Sequence, residues 1–147
     1  MKLPGQSQIA EALRNWFLDC EVLRNSRVLG IDYLSQNPDN FAIILENSEL
    51  STSTDVLGNT YLNPIQTQSF SLTNTNAYGA EALQNIRNLG ILDQVVDWML
   101  EQNNMHNLPA FPGTISCLPT TAPVLYTAEG DRGFYQINGN LKYKLNK

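Results

Sequence analysis

Apolar residues recur at helical spacing near the start of the chain. Ile9, Ala12, Leu13, Trp16, Phe17, Cys20 and Leu23 follow the i, i+3, i+4, i+7 pattern, while Glu11, Arg14, Asn15 and Asp19 fall on the other face. This spacing predicts an amphipathic helix with Ser7 as its N-cap, closed by Asn25-Ser26. Its aromatic stripe is expected to pack on the protein's own sheet. Residues 27–34 and 41–46 are rich in β-branched and aromatic side chains and read as strands. The turn Asn37-Pro38-Asp39-Asn40 would join them into a hairpin.

The next stretch changes character. Residues 47–63 are dominated by Ser, Thr and Asn and read as an exposed loop or partner-facing surface, with a turn or small hairpin around residues 55–60. Residues 64–73 alternate weakly. Gln66, Gln68, Phe70 and Leu72 lie on one side and Ile65, Thr67, Ser69, Ser71 and Thr73 on the other, which predicts a strand with one well-solvated face. Residues 74–79 read as a connection. A helix is expected from about Ala80, broken or bent at Gly90. Its second part, 91–103, carries Leu92, Val95, Val96, Met99 and Leu100 on one face with Trp98 near the edge, and residues 103–107 unwind it.

Residues 114–127 are strand-like, but Pro119 and Pro123 remove ladder donors, so this segment belongs at a sheet edge or a bulge. Residues 128–133 form a turn. In the last segment Tyr135, Ile137, Gly139, Leu141, Tyr143 and Leu145 alternate with Gln136, Asn138, Asn140, Lys142 and Lys144. Asn138-Gly139 could form a tight turn. The unbroken alternation favours one long strand. The sum is an α+β fold: a single, mostly antiparallel β-sheet with two to three helices packed on one face.

Length and composition sharpen this picture. The 147 residues make one domain, 1–147, and 42% hydrophobic residues suffice for a core. Net charge is −5, with the basic residues scattered apart from Lys142, Lys144 and Lys147. Gripping a phosphate backbone needs clustered positive charge, so sequence-specific nucleic-acid binding is not expected. An acidic surface facing DNA without holding it remains compatible. The opening residues show no signal-peptide pattern, and no apolar run approaches the roughly 20 residues of a membrane span. A cytoplasmic protein with no membrane partner is the expectation. Cys20 and Cys117 then read as free, buried thiols.

Candidate chemistry is sparse. His106 is the only histidine and lies in an Asn-rich loop. No HExxH, CxxC or carboxylate-rich cluster occurs, and two cysteines with one histidine are too few for a structural zinc site. Gly58-Asn59-Thr60 and Gly130-Asp131-Arg132-Gly133 are glycine turns without the helix and lysine of a phosphate loop. Ser116 and Cys117 have no base nearby in sequence. Asp93, Asp97 and Glu101 share a helix face, flanked by Gln94 and Gln102, and read as a solvated acidic stripe or a dock for a basic partner. No catalytic, cofactor-binding or metal-binding residue is assigned, and an enzyme is not expected. The better material is for interaction, because neutral polar surface is cheaper to desolvate than charged surface. Asp55, Leu57, Asn59 and Tyr61 of the polar insert, with Asp93, Asp97 and Glu101, are the candidate protein-interface residues.

The order of several short segments resembles the tail-terminator proteins of long-tailed bacteriophages and prophages, often called minor capsid or minor tail proteins. These segments are Asn15-Trp16-Phe17, residues 30–34 (GIDYL), residues 37–43 (NPDNFAI), Ala77-Tyr78-Gly79, Asp97-Trp98-Met99, Gln102-Asn103, Leu108-Pro109, residues 133–137 (GFYQI) and Leu141-Lys142-Tyr143. The resemblance runs over nearly the whole chain. It implies a hexameric ring of copies of this chain, compatible with a monomer in isolation, that sits on the last tail-tube ring and stops tube growth. It further implies a tail-tube partner, a head-completion or connector partner, a place in the virion tail, and assembly in the host cytoplasm. The family offers no catalytic residues, and the polar insert departs from it in being plain rather than charged. A head–tail connector or tail-tube-like protein is the nearest alternative. From another class, a small ligand-binding domain, or an adaptor using Trp16 and Phe17, is the alternative.

Overall fold

The computed structural model describes residues 3–26, 28–35 and 37–145; Arg27 and Lys147, which figure in the sequence reading, lie outside them. The elements run α1 (Gln6–Phe17), α2 (Glu21–Arg24), β1 (Val28–Ile31), β2 (Asn40–Leu45), β3 (Thr52–Thr54), β4 (Thr60–Leu62), β5 (Ile65–Ala77), α3 (Ala82–Asn104), β6 (Thr114–Pro119), β7 (Val124–Glu129) and β8 (Arg132–Lys144). The fold is α+β: a six-stranded, mostly antiparallel sheet, a separate two-stranded ribbon, and helices packed on one sheet face.

The spine is the antiparallel pair β5–β8, in unbroken register from Ile65↔Lys144 to Ala77↔Arg132. The alternation of residues 135–145 is one long strand, as its pattern predicts, and Asn138-Gly139 lies inside it. β2 covers the other edge of β5. The far edge of β8 is shared, with β7 along its first half and β6 along its second. The two prolines therefore divide residues 114–127 into two edge strands, each carrying a bulge.

The core lies between this sheet and the helices. Phe41, Ile43, Phe70, Leu72, Tyr135, Ile137, Leu141 and Tyr143 face Ile9, Leu13, Trp16 and Phe17 of α1 and Leu92, Val95 and Met99 of α3. Phe17 sits at the centre, its ring 4.9 Å from Trp16, 5.8 Å from Phe70 and 6.1 Å from Trp98. Trp16 also donates from Nε1 to the Asn107 carbonyl at 2.8 Å, tying α1 to the end of α3. Cys20 and Cys117 are free and buried.

Several expectations are corrected. β1 and β2 are not a hairpin but a parallel pair, Val28↔Asn40 to Ile31↔Ile43. The connection from β1 therefore doubles back before β2 begins. A four-residue strand needs a return of only about 10 Å, which eight residues span easily. Left-handed Asp32 (φ 55°) and Asp39 (φ 66°) make its two corners. The first helix ends at Phe17, Gly5 rather than Ser7 occupies its N-cap, and Cys20 sits in extended backbone before α2. α3 is continuous through Gly90, without the expected break. An interior glycine costs a helix only about 1 kcal/mol, and Asn88 and Leu92 are buried on either side of it. Leu100, expected on the buried face, is exposed.

β5 also runs on through residues 74–77, expected as a connection. Asn74 and Thr75 find ladder partners on both sides, and the Asn74 side-chain amide donates to the Asn40 carbonyl. Its second face is not well solvated: Ser71 and Thr73 are buried. β5 is the sheet's central strand, and the rims rise around that face, with Leu34 on one side and Thr120 and Tyr126 on the other. The final turn is also tighter than expected, since β7 and β8 pair up to Glu129↔Arg132.

Candidate functional site

The polar insert folds as an arm: β3 and β4 pair only with each other, Thr52↔Leu62 to Thr54↔Thr60. So short a ribbon is marginal alone, and side-chain hydrogen bonds brace it at both ends. At the root is Gln66, the second residue of β5 and buried. Its Oε1 accepts the Ser51 amide at 2.9 Å, and its Nε2 donates to the carbonyls of Ser51 and Asn63 at 2.8 and 2.9 Å. Asn63 adds bonds with the Ser51 and Ser53 hydroxyls.

At the tip is Asp55. Its Oδ1 accepts the amides of Leu57 and Asn59, each at 2.9 Å, and its Oδ2 accepts the Tyr61 hydroxyl at 2.8 Å and the Asn59 side-chain amide at 3.3 Å. Gly58 (φ 86°) supplies the left-handed corner. The carboxylate is thus occupied inside the turn, and what the tip presents outward is apolar: Val56 is 102% and Leu57 83% exposed. Asp55, Leu57, Asn59 and Tyr61 do converge at one place. Leu57 faces out as an apolar contact, Tyr61 keeps its ring half exposed while its hydroxyl bonds Asp55, and Asp55 and Asn59 shape the turn. Sequence reasoning passed over Val56 and Gln66, although two adjacent aliphatics in a polar run were a visible signal.

These bonds, led by the Tyr61 hydroxyl and then the Asn59 amide, hold the Asp55 carboxyl below the usual carboxylate range. A depressed folded-state pKa stabilises the turn above the carboxyl's unfolded value, and that support is lost as pH falls through the folded one. Acidification below about pH 4 is therefore expected to loosen the tip. Amide exchange of Leu57 and Asn59 should accelerate first, while the core amides stay protected. Asp55→Ala should give the same local acceleration at neutral pH and leave the global melting transition in place. Unchanged exchange in the variant would mean that the ribbon, and not Asp55, sets the turn.

Asp93, Asp97 and Glu101 are exposed along α3, and no hydrogen bond among the described residues joins them to the arm. His106 is also exposed. Trp16 and Phe17 are buried, so their stripe offers no adaptor surface.

The sheet face away from the helices forms an open hollow of ≈ 840 Å³. Its floor is neutral and polar: Ser69, Ser71 and Thr73 of β5 oppose Asn140, Asn138 and Gln136 of β8, and Ser69 donates to Asn140 Oδ1 at 2.9 Å. Phe134 and Tyr126 add aromatic area, and among the described residues Glu46 and Glu129 are its charged lining. The three acids of α3 and His106 lie outside it. Among the described residues no three His, Cys, Asp or Glu side chains come close enough to hold a metal ion.

The β6–β7 edge exposes Ile115, Leu118, Val124, Leu125 and Tyr126. Beside it a smaller hollow of ≈ 330 Å³ is lined by Tyr78, Asn85, Leu89, Pro123, Val124, Leu125 and Tyr135. This edge was read from its prolines; the hollow was not, because it gathers residues from three separate segments. The chain matches no protein-family model and no curated protein.

Proposed function

We propose that this protein is a structural subunit of a bacteriophage tail, which caps the tail tube as a ring, ends its polymerisation and meets the head connector. The observation that supports this most is the braced arm with two fully offered aliphatic side chains at its tip. A free monomer gains nothing by stiffening a ribbon to hold Val56 and Leu57 in water, whereas a rigid apolar knob loses little entropy on docking. The unpaired apolar edge of β6 and β7 offers a second contact surface. Two unlike surfaces on one chain suit the head-to-tail contacts from which rings close. The segment order described above supplies the tail context.

Negative-stain imaging of the purified protein with its cognate tail-tube protein tests the reading. Rings of tail width, or shortened tubes with blunt caps, are expected. Unchanged tube length with dispersed monomers would overturn it, and long tubes of this protein alone would favour a tube-like subunit. A small-ligand domain is the second reading, resting on the polar-floored hollow of ≈ 840 Å³, a size within the range of ligand sites.

A further inference from the structure

We infer that the arm tip of one copy docks in the apolar hollow between α3 and β7 of a neighbouring copy; the inference rests on the ring reading above and specifies its contact. Two features of the two surfaces match. The first is size and polarity: a hollow of ≈ 330 Å³ walled by Leu89, Pro123, Val124, Leu125 and two tyrosines takes a pair of branched aliphatic side chains, and Val56 and Leu57 are such a pair. The second is charge. No lining residue of the hollow is charged, and Asp55 beside the tip already spends its oxygens on four hydrogen bonds within the turn. Two copies of a chain of net charge −5 can meet there without setting like charges face to face.

The occupant is a second copy rather than the chain's own arm. The arm roots at Gln66 and the hollow lies by Tyr135, which pairs with Asn74. From Gln66 to Asn74 along β5 is about 26 Å, and the arm from Ser51 to Val56 reaches about 17 Å. The root of the arm and the hollow lie toward opposite ends of the spine, so joining the arm of one copy to the hollow of the next is a head-to-tail contact, which propagates into a ring or filament.

The test uses the full chain with Leu57→Cys and Val124→Cys, both exposed positions. The native thiols are buried and do not compete. A short bis-maleimide is added in the presence of cognate tail-tube protein, and caps are scored by imaging in parallel. The doubly substituted chain should give a ladder of covalent oligomers. The two single variants should cross-link when mixed and stay monomeric alone. Leu57→Asp should weaken self-association about tenfold or more. Caps without a ladder would overturn this contact and leave the ring reading standing. A ladder in concentrated protein without caps would support the contact and count against the tail role. Tip-to-tip dimers of Leu57→Cys alone, or its capture on the tube protein, would overturn the inference.

Discussion

Phe17→Ala is expected to remove about 3–5 kcal/mol of folding stability, the range for truncating a fully buried aromatic. The cost belongs at the upper end because the space cannot collapse. Phe17 is 0% exposed and touches Trp16, Trp98 and Phe70, which come from α1, α3 and the central strand. Trp16 is held by its bond to the Asn107 carbonyl, and Phe70 stands against Gly139, so neither ring is free to fill the void. Domains are stable by only 5–15 kcal/mol, and so large a share should be plain in a urea titration. A loss below about 1 kcal/mol would show that the aromatic cluster repacks and is not the centre of the core.

Gly139→Ala should cost about 2–3 kcal/mol despite adding a single methyl group. A Cβ at this position would lie 2.6 Å from Phe70 Cζ, 3.0 Å from its Cε2 and 3.1 Å from the Leu118 carbonyl oxygen. The carbonyl belongs to β6, paired in the ladder, and the Phe70 ring is backed by Phe17. Relief has to come from the ring. Phe70→Leu combined with Gly139→Ala should therefore cost clearly less than the two single changes added together. Strict additivity in the same titration would mean that the methyl group is accommodated by backbone movement and Phe70 is not what excludes it.

That glycine marks where the sequence was legible and where it stopped. Alternation over residues 135–145 was enough to prefer a continuous strand over an Asn-Gly turn, because side-chain period is a local property. The stripe from Ile9 to Leu23 and the edge prolines were legible for the same reason. The parallel pairing of β1 with β2 was not, since the choice is made by how the connection between them doubles back, and the turn signal at 37–40 fits either outcome. Residues 74–77 were misread because a buried asparagine is tolerated only when a partner exists. The Asn40 carbonyl that receives Asn74 is 34 residues away. For the candidate site, the turn over residues 55–60 was legible from its Asp, Gly and Asn, whereas the Tyr61 hydroxyl's bond to Asp55 was not. The hollow that fits the tip draws on residues 78–89, 123–125 and 135 and exists only once the sheet has formed.

The spine has a consequence for the order of events in folding. β5 and β8 lie 54 residues apart in the chain, with α3, β6 and β7 between them. The centre of the sheet is thus a non-local pairing, and its loop-closure entropy falls due before most of its contacts form. The β7–β8 hairpin, closed by Gly130-Asp131, is local and can form early. Until β8 reaches it, β5 shows an open edge bearing Phe70 and Leu72, with only β2 to cover the other side. Refolding on the millisecond-to-second scale is expected of such a topology. Crowded synthesis of many identical chains would expose that edge to its own kind, so high expression temperature should favour aggregation through β5.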